Sequence, residues 1–123
     1  MSQEIEFAQS EIAEIISNSK ELIIHFRLVT IVASGSIAPS ETARSYQVPA
    51  SVTIDQPRYK TLPKKGVLAD GELYGVPGKP LNGRLPIDYR CARSIELVLV
   101  DQSVEHSIHG KGIVVKVEKP GLT

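Results

Sequence analysis

The sequence has no tryptophan, one cysteine, one methionine and two phenylalanines, and aromatic residues fill only 5% of its 123 positions. With a single thiol, no disulfide can form within the chain, so nothing signals a secreted, cross-linked scaffold. Net charge is absent as well, because 14 Lys and Arg balance 14 Asp and Glu. That balance argues against a uniformly basic nucleic-acid binder and against an acidic solvating tail. No apolar run approaches the roughly 20 residues needed to span a bilayer as a helix, so no membrane partner is expected. The opening Met-Ser-Gln-Glu-Ile-Glu is acidic and lacks an apolar h-region. It is therefore not read as a signal peptide, and a cytoplasmic location is the expectation.

What is present is ordinary for a globular chain: 41% hydrophobic and 23% charged residues, over a length that suits a single domain spanning residues 1–123. The neutral total conceals an asymmetry. Residues 1–41 set Lys20 and Arg27 against Glu4, Glu6, Glu11, Glu14, Glu21 and Glu41, a net of −4. Residues 58–93 hold eight cations (Arg58, Lys60, Lys64, Lys65, Lys79, Arg84, Arg90 and Arg93) against Asp70, Glu72 and Asp88, a net of +5. The two blocks can neutralise each other within the chain, on another copy, or on an anionic partner.

Ile5, Ala8, Ile12, Ile15 and Ile16 fall at spacings that predict one face of an amphipathic helix over about residues 4–17. Ser17-Asn18-Ser19 would end it, since those side chains compete for backbone hydrogen bonds. A competing reading makes Glu4–Phe7 a short strand and starts the helix after Ser10. From about 21 to 118 the pattern is strand-rich. Glu21–Val32 is rich in β-branched and aromatic residues, and alternation places Leu22, Ile24, Phe26, Leu28, Thr30 and Val32 on a core face. Tyr46–Ile54 is extended, with Pro49 marking an edge, a strand start or a bulge. Nine Gly and Pro residues between 63 and 86 rule out a useful helix there. Asp70-Gly71 and Asn82-Gly83 read as hairpin turns. Ser94–Asp101 is the clearest strand, returning after a turn as Val104–Glu118 with a bulge at Gly110 and Gly112.

One helix followed by seven or eight strands predicts a mainly β fold, an antiparallel β-sandwich or small barrel with the N-terminal helix on one face or end. The alternative is an α+β arrangement, with the helix packed on a single curved antiparallel sheet.

Chemical motifs are weak. His25 lies mid-strand and could face a pocket. Cys91 stands between Arg90 and Arg93, which would favour thiolate if they pointed at it, although no Cys–His signature accompanies it. Glu105-His106-x-x-His109 could hold a metal only on a turn, because on a strand His106 and His109 point to opposite faces. His106 is then partly buried and His109 solvent-facing, and no metal or cofactor is expected. Gly75-Val-Pro-Gly-Lys-Pro80 and Gly110-Lys111-Gly112 do not make a phosphate loop, and Asp70 with Glu72 reads as a turn preference. The basic stretch supplies Arg58, Lys60, Lys64, Lys65, Arg84, Arg90 and Arg93 for an anionic ligand or protein partner. Few aromatics, and Tyr59 alternating away from Arg58 and Lys60, argue against nucleic acid.

The functional expectation is a non-enzymatic binding or assembly module that self-associates. Apolar residues on both strand faces, Ile23, Val29, Ile31, Val98 and Val100, call for a covering helix, sheet or subunit. The alternatives are a small-ligand enzyme or carrier with a cavity lined by His25, Tyr74 or Tyr89, and an anion or single-stranded nucleic-acid binder using residues 58–93.

Overall fold

A computed structural model describes residues 3–33, 46–75, 84–86 and 90–117. These form eleven strands: β1 (Gln3–Ser17), β2 (Glu21–Ala33), β3 (Tyr46–Asp55), β4 (Arg58–Tyr59), β5 (Gly66–Val67), β6 (Asp70–Tyr74), β7 (Arg84–Pro86), β8 (Arg90–Cys91), β9 (Ile95–Asp101), β10 (Val104–Gly110) and β11 (Ile113–Val117). They build two antiparallel sheets. The larger runs β5-β1-β2-β3-β11-β8, with β7 also on β1, and the smaller runs β4-β10-β9-β6. Buried side chains from both sheets form one apolar core, from Ile5, Phe7, Ile24 and Val52 to Leu97, Leu99 and Ile108. Phe7 and Phe26 meet there with ring centroids 6.3 Å apart and planes tilted by 49°, a favourable aromatic arrangement.

The expected N-terminal helix is a strand, and its helical spacing has a specific origin. Ile5 and Phe7 are buried, then Ser10 and Ile12. Between Glu6 and Glu11 the register against β2 slips, with Gln9 at φ 68°. The slip moves the inward set from odd to even positions at Ser10 and Ile12, and a further shift before Glu14 returns it to odd at Ile15. Phe7 and Ser10, and Ile12 and Ile15, are then three apart and Ile5 and Ile12 seven apart, as on a helix. Leu68 stitches the distortion from outside: Gln9 N–H donates to Leu68 O at 2.9 Å, and Leu68 N–H donates to Ser10 O at 2.8 Å. Buried Ser10 Oγ donates to Glu6 O at 2.8 Å, satisfying the polar group that would otherwise be stranded.

A second slip corrects the face assignment in β2. Leu22, Ile24 and Phe26 point inward as expected, but beyond them Val29 and Ile31 are buried, whereas Leu28 and Thr30 are half-buried. Phe26 pairs with Ala50 and Val29 with Val48, so β2 carries one extra residue at Pro49. The bulge explains how a proline without an N–H sits in a strand with neighbours on both sides, one of the outcomes its sequence position suggested.

Asp70-Gly71 is not a hairpin turn. Both lie in β6, where Gly71 pairs with Leu99, and Gly66–Val67 pairs instead with β1. The chain therefore changes sheets at Leu68-Ala69, where Ala69 N–H donates to Val100 O at 2.9 Å. The β9–β10 hairpin turns through Gln102 and Ser103 at φ 53° and 81°, the backbone of a type I′ turn built without Asn or Gly. Gly110 and Gly112 mark no bulge within one strand. They flank the passage of the chain from β10 in the smaller sheet to β11 in the larger. The expected Asn82-Gly83 turn, Tyr89, Lys79 and the loop through Pro39 lie outside the described residues. Among the described residues no helix is long and apolar enough to cross a membrane.

Two such passages lie side by side. β3 leads through Gln56-Pro57 into β4, and β10 through Lys111-Gly112 into β11; β3 pairs with β11 and β4 with β10. The four strands make one two-stranded ribbon bent around a corner between the sheets. Asp55 N–H donates to Gly112 O at 3.0 Å and Lys111 N–H to Asp55 O at 2.8 Å, holding the bend. Gly110 has no room for a side chain, since a Cβ would lie 2.3 Å from Ile54 Cγ2.

Candidate functional site in a groove along strands β4 and β10

The smaller sheet turns one face to the core and the other to solvent. Strict alternation sends His106 and Ile108 inward, and Ser107 and His109 outward. His106 is buried, and its Nδ1 lies 2.8 Å from Thr61 Oγ1; it is a satisfied structural histidine. His109 is exposed and pairs in register with Arg58 on one side and Glu96 on the other. Both histidines sit as their strand positions predicted.

Beside them, Arg58, Tyr59, Lys60, Thr61, Glu105, Ser107 and His109 line an open groove of about 770 Å³. Within reach of it, Ser107 Oγ donates to Glu96 Oε2. His109 Nε2 stands 3.5 Å from Ser107 Oγ and 3.8 Å from Glu96 Oε2. Serine, histidine and carboxylate thus meet, but not as a nucleophilic triad. A triad needs the acid on one ring nitrogen and the hydroxyl on the other. Here both address Nε2, and the serine proton is committed to the carboxylate. The cluster can hold a ligand by hydrogen bonds and charge; it is not arranged to attack one.

Arg58 also lines a second basin, with Ser19, Lys20, Asp55, Gln56, Pro57 and Lys111. Sequence reading missed Lys20, which lies in the acidic block, and Lys111, set aside with its flanking glycines. The available signal was local: Lys20 follows Ser-Asn-Ser at a hairpin tip, and Lys111 stands between two glycines at a bend.

Of the other cations, Lys64 and Lys65 are exposed on the stretch before β5, with Lys64 N–H donating to Asp101 Oδ2 at 3.1 Å. Arg84 opens β7 opposite Glu6 in the backbone register. Arg90 lies on the edge strand β8 opposite Val114, with exposed Arg93 following it. The seven cations therefore do not converge; Arg58 and Lys60 share a groove. None of Arg58, Lys60, Lys64, Lys65, Arg90 and Arg93 forms an ion pair with a described carboxylate. Glu11 pairs instead with Arg27, inside the acidic block, with Arg27 Nε 3.1 Å from Glu11 Oε2.

The remaining candidates lie elsewhere. His25 alternates with buried Ile24 and Phe26, so it sits half-buried on the outer face of the larger sheet, in register with Glu14 and Ser51. It does not look into an interior, and Tyr74 is 53% exposed, so the two do not converge on an enclosed cavity. Cys91 is a free, partly buried thiol packed against the core. Among the described residues no three His, Cys, Asp or Glu side chains gather as metal ligands.

No protein-family model, no curated protein and no solved structure matches this chain.

Proposed function

We propose that the chain is a non-enzymatic binding module, a single β-sandwich domain that takes an anionic ligand in the groove along β4 and β10. The observation that carries this reading is that Arg58 and Lys60 border the groove without a described carboxylate partner. Unpaired Arg58 and Lys60 beside His109, with the Thr61 and Ser107 hydroxyls bonded to His106 and Glu96 and still able to accept, suit a ligand with a localised negative charge and polar edges. Glu105, on the same rim, disfavours a ligand of uniform negative charge and so contributes selectivity. Retention on a polyanion resin tests the reading. At low salt the protein is retained, elution moves to much lower salt in Arg58→Ala/Lys60→Ala, and Arg90→Ala/Arg93→Ala elutes close to the wild type. Retention that ignores salt, or depends only on Arg90 and Arg93, sinks it.

Self-association is a second reading, favoured by one row on the outer face of the larger sheet. Ile16, 41% exposed, lies in register with Ile23, then Thr53 and Val114. The case is narrower than the strand pattern suggested, because Val29 and Ile31 face the core. Sedimentation velocity should show an oligomer that dissociates in Ile16→Lys/Val114→Lys; a wild-type monomer at high concentration removes this reading.

A further inference from the structure

One hairpin tip and two bends meet at the corner, and each brings a cation. The β1–β2 hairpin tip contributes Lys20, the β3–β4 bend contributes Arg58, and the β10–β11 bend contributes Lys111. Backbone hydrogen bonds lock the three together: Gln56 N–H donates to Lys20 O at 2.8 Å, and Lys111 N–H donates to Asp55 O at 2.8 Å. The cations are therefore placed by the main chain and not gathered by a carboxylate. Asp55 is the acid in the basin, and neither Lys20, Arg58 nor Lys111 forms an ion pair with it or with another described residue. Three positive groups stand against Asp55 and, opposite it in register, Glu21, which leaves a local excess of one charge and a mutual repulsion that an anion would relieve.

We propose that this corner is a phosphate site, and that the ligand is an organic phosphate whose remaining part lies along the β4–β10 groove. The inference rests on the groove reading above, because Arg58 lines both basins and joins them. A planar guanidinium flanked by two ammonium groups suits a phosphate better than a single carboxylate, since a phosphate offers three oxygens and up to two charges. The backbone amides of Gln56 and Lys111 are already committed, and Pro57 has none. The charged side chains therefore carry the anion's main contacts, so affinity should fall steeply with salt. Tyr59, 37% exposed with its hydroxyl bonded to Ser17, offers the remainder of the ligand a ring face, and the engaged hydroxyls of Thr61 and Ser107 beyond it offer acceptor oxygens.

Isothermal titration calorimetry at low salt with inorganic pyrophosphate and with adenosine diphosphate tests the proposal, on full-length protein whose fold is checked by circular dichroism. The wild type should bind pyrophosphate, Lys20→Ala/Lys111→Ala should weaken it at least tenfold, and Lys20→Arg/Lys111→Arg should restore it. Adenosine diphosphate should bind more tightly than pyrophosphate, with that difference lost in Lys60→Ala/Ser107→Ala. Unchanged pyrophosphate affinity in Lys20→Ala/Lys111→Ala overturns the corner site, as does absence of binding to the wild type. Should polyanion retention still depend on Arg58 and Lys60 in that case, the groove reading stands without the corner. Equal affinity for the two probes overturns the organic-phosphate assignment. A thymidine oligonucleotide binding more tightly than either, through the same lysines, would replace it with a nucleic-acid backbone.

Discussion

Phe7 of β1 occupies the space that a side chain on Gly71 of β6 would need. A Cβ built at Gly71 stands 2.7 Å from Phe7 Cβ, 2.8 Å from Phe7 Cγ and 3.0 Å from Leu99 Cδ2. The residue that leaves the β1–β2 register on one sheet is thus seated on a bare backbone in the other. Gly71→Ala should destabilise the protein by about 1–3 kcal/mol through overpacking, read as a lowered urea midpoint at unchanged slope. In a Phe7→Ala background, which removes Cγ and the ring, the same substitution should cost less. An identical cost in both backgrounds would show that the two residues do not compete for one space.

Thr61 holds the buried ring of His106 through Nδ1. Thr61→Val leaves that nitrogen without its partner and should cost about 1–3 kcal/mol, towards the lower figure because Thr61 is itself exposed. Thr61→Ser keeps the hydroxyl and should stay within about 0.5 kcal/mol of the wild type. Equal losses from the two variants would mean that packing of the methyl group, and not the hydrogen bond, matters.

Gln102 and Ser103 both adopt positive φ at the β9–β10 turn, a conformation that costs side-chain-bearing residues more than Asn or Gly. Gln102→Asn/Ser103→Gly should therefore stabilise the protein by about 0.5–2 kcal/mol, visible as a raised melting temperature. A lowered one would show that these side chains contribute contacts beyond the turn.

Strand content was legible in the chain, because β-branched alternation in Glu21–Val32 and Ser94–Asp101 follows directly from side-chain periodicity. Strand phase was not. The slip around Gln9 depends on Leu68, and the bulge opposite Pro49 depends on β3, so each is decided by a partner remote in sequence. That is why β1 imitates a helix and why Leu28 and Val29 exchange faces. Asp70-Gly71 misled for a related reason: the glycine is required by Phe7 across the core and not by a turn. The positions of His106 and His109 needed only strand parity and were readable. The gathering of Lys20 and Lys111 with Arg58 was not, because a hairpin tip and two bends far apart in sequence assemble it.

Ser107, His109 and Glu96 form a hydrogen-bonded cluster in which hydroxyl and carboxylate share one imidazole nitrogen. Ser107→Ala should leave any slow hydrolysis of p-nitrophenyl acetate unchanged. A drop to the buffer rate would instead assign the serine a catalytic role.

The bent ribbon also constrains the order of folding. Neither sheet is complete until Asp55 meets Gly112, and these residues come from opposite halves of the chain. The β9–β10 hairpin needs only a two-residue loop and can close within microseconds, whereas the corner must wait for a long loop to close. Folding should therefore be slow, in the millisecond-to-second range of non-local β topologies. Substitutions at the corner, such as Gly110→Ala, should slow refolding more than those in the β9–β10 turn.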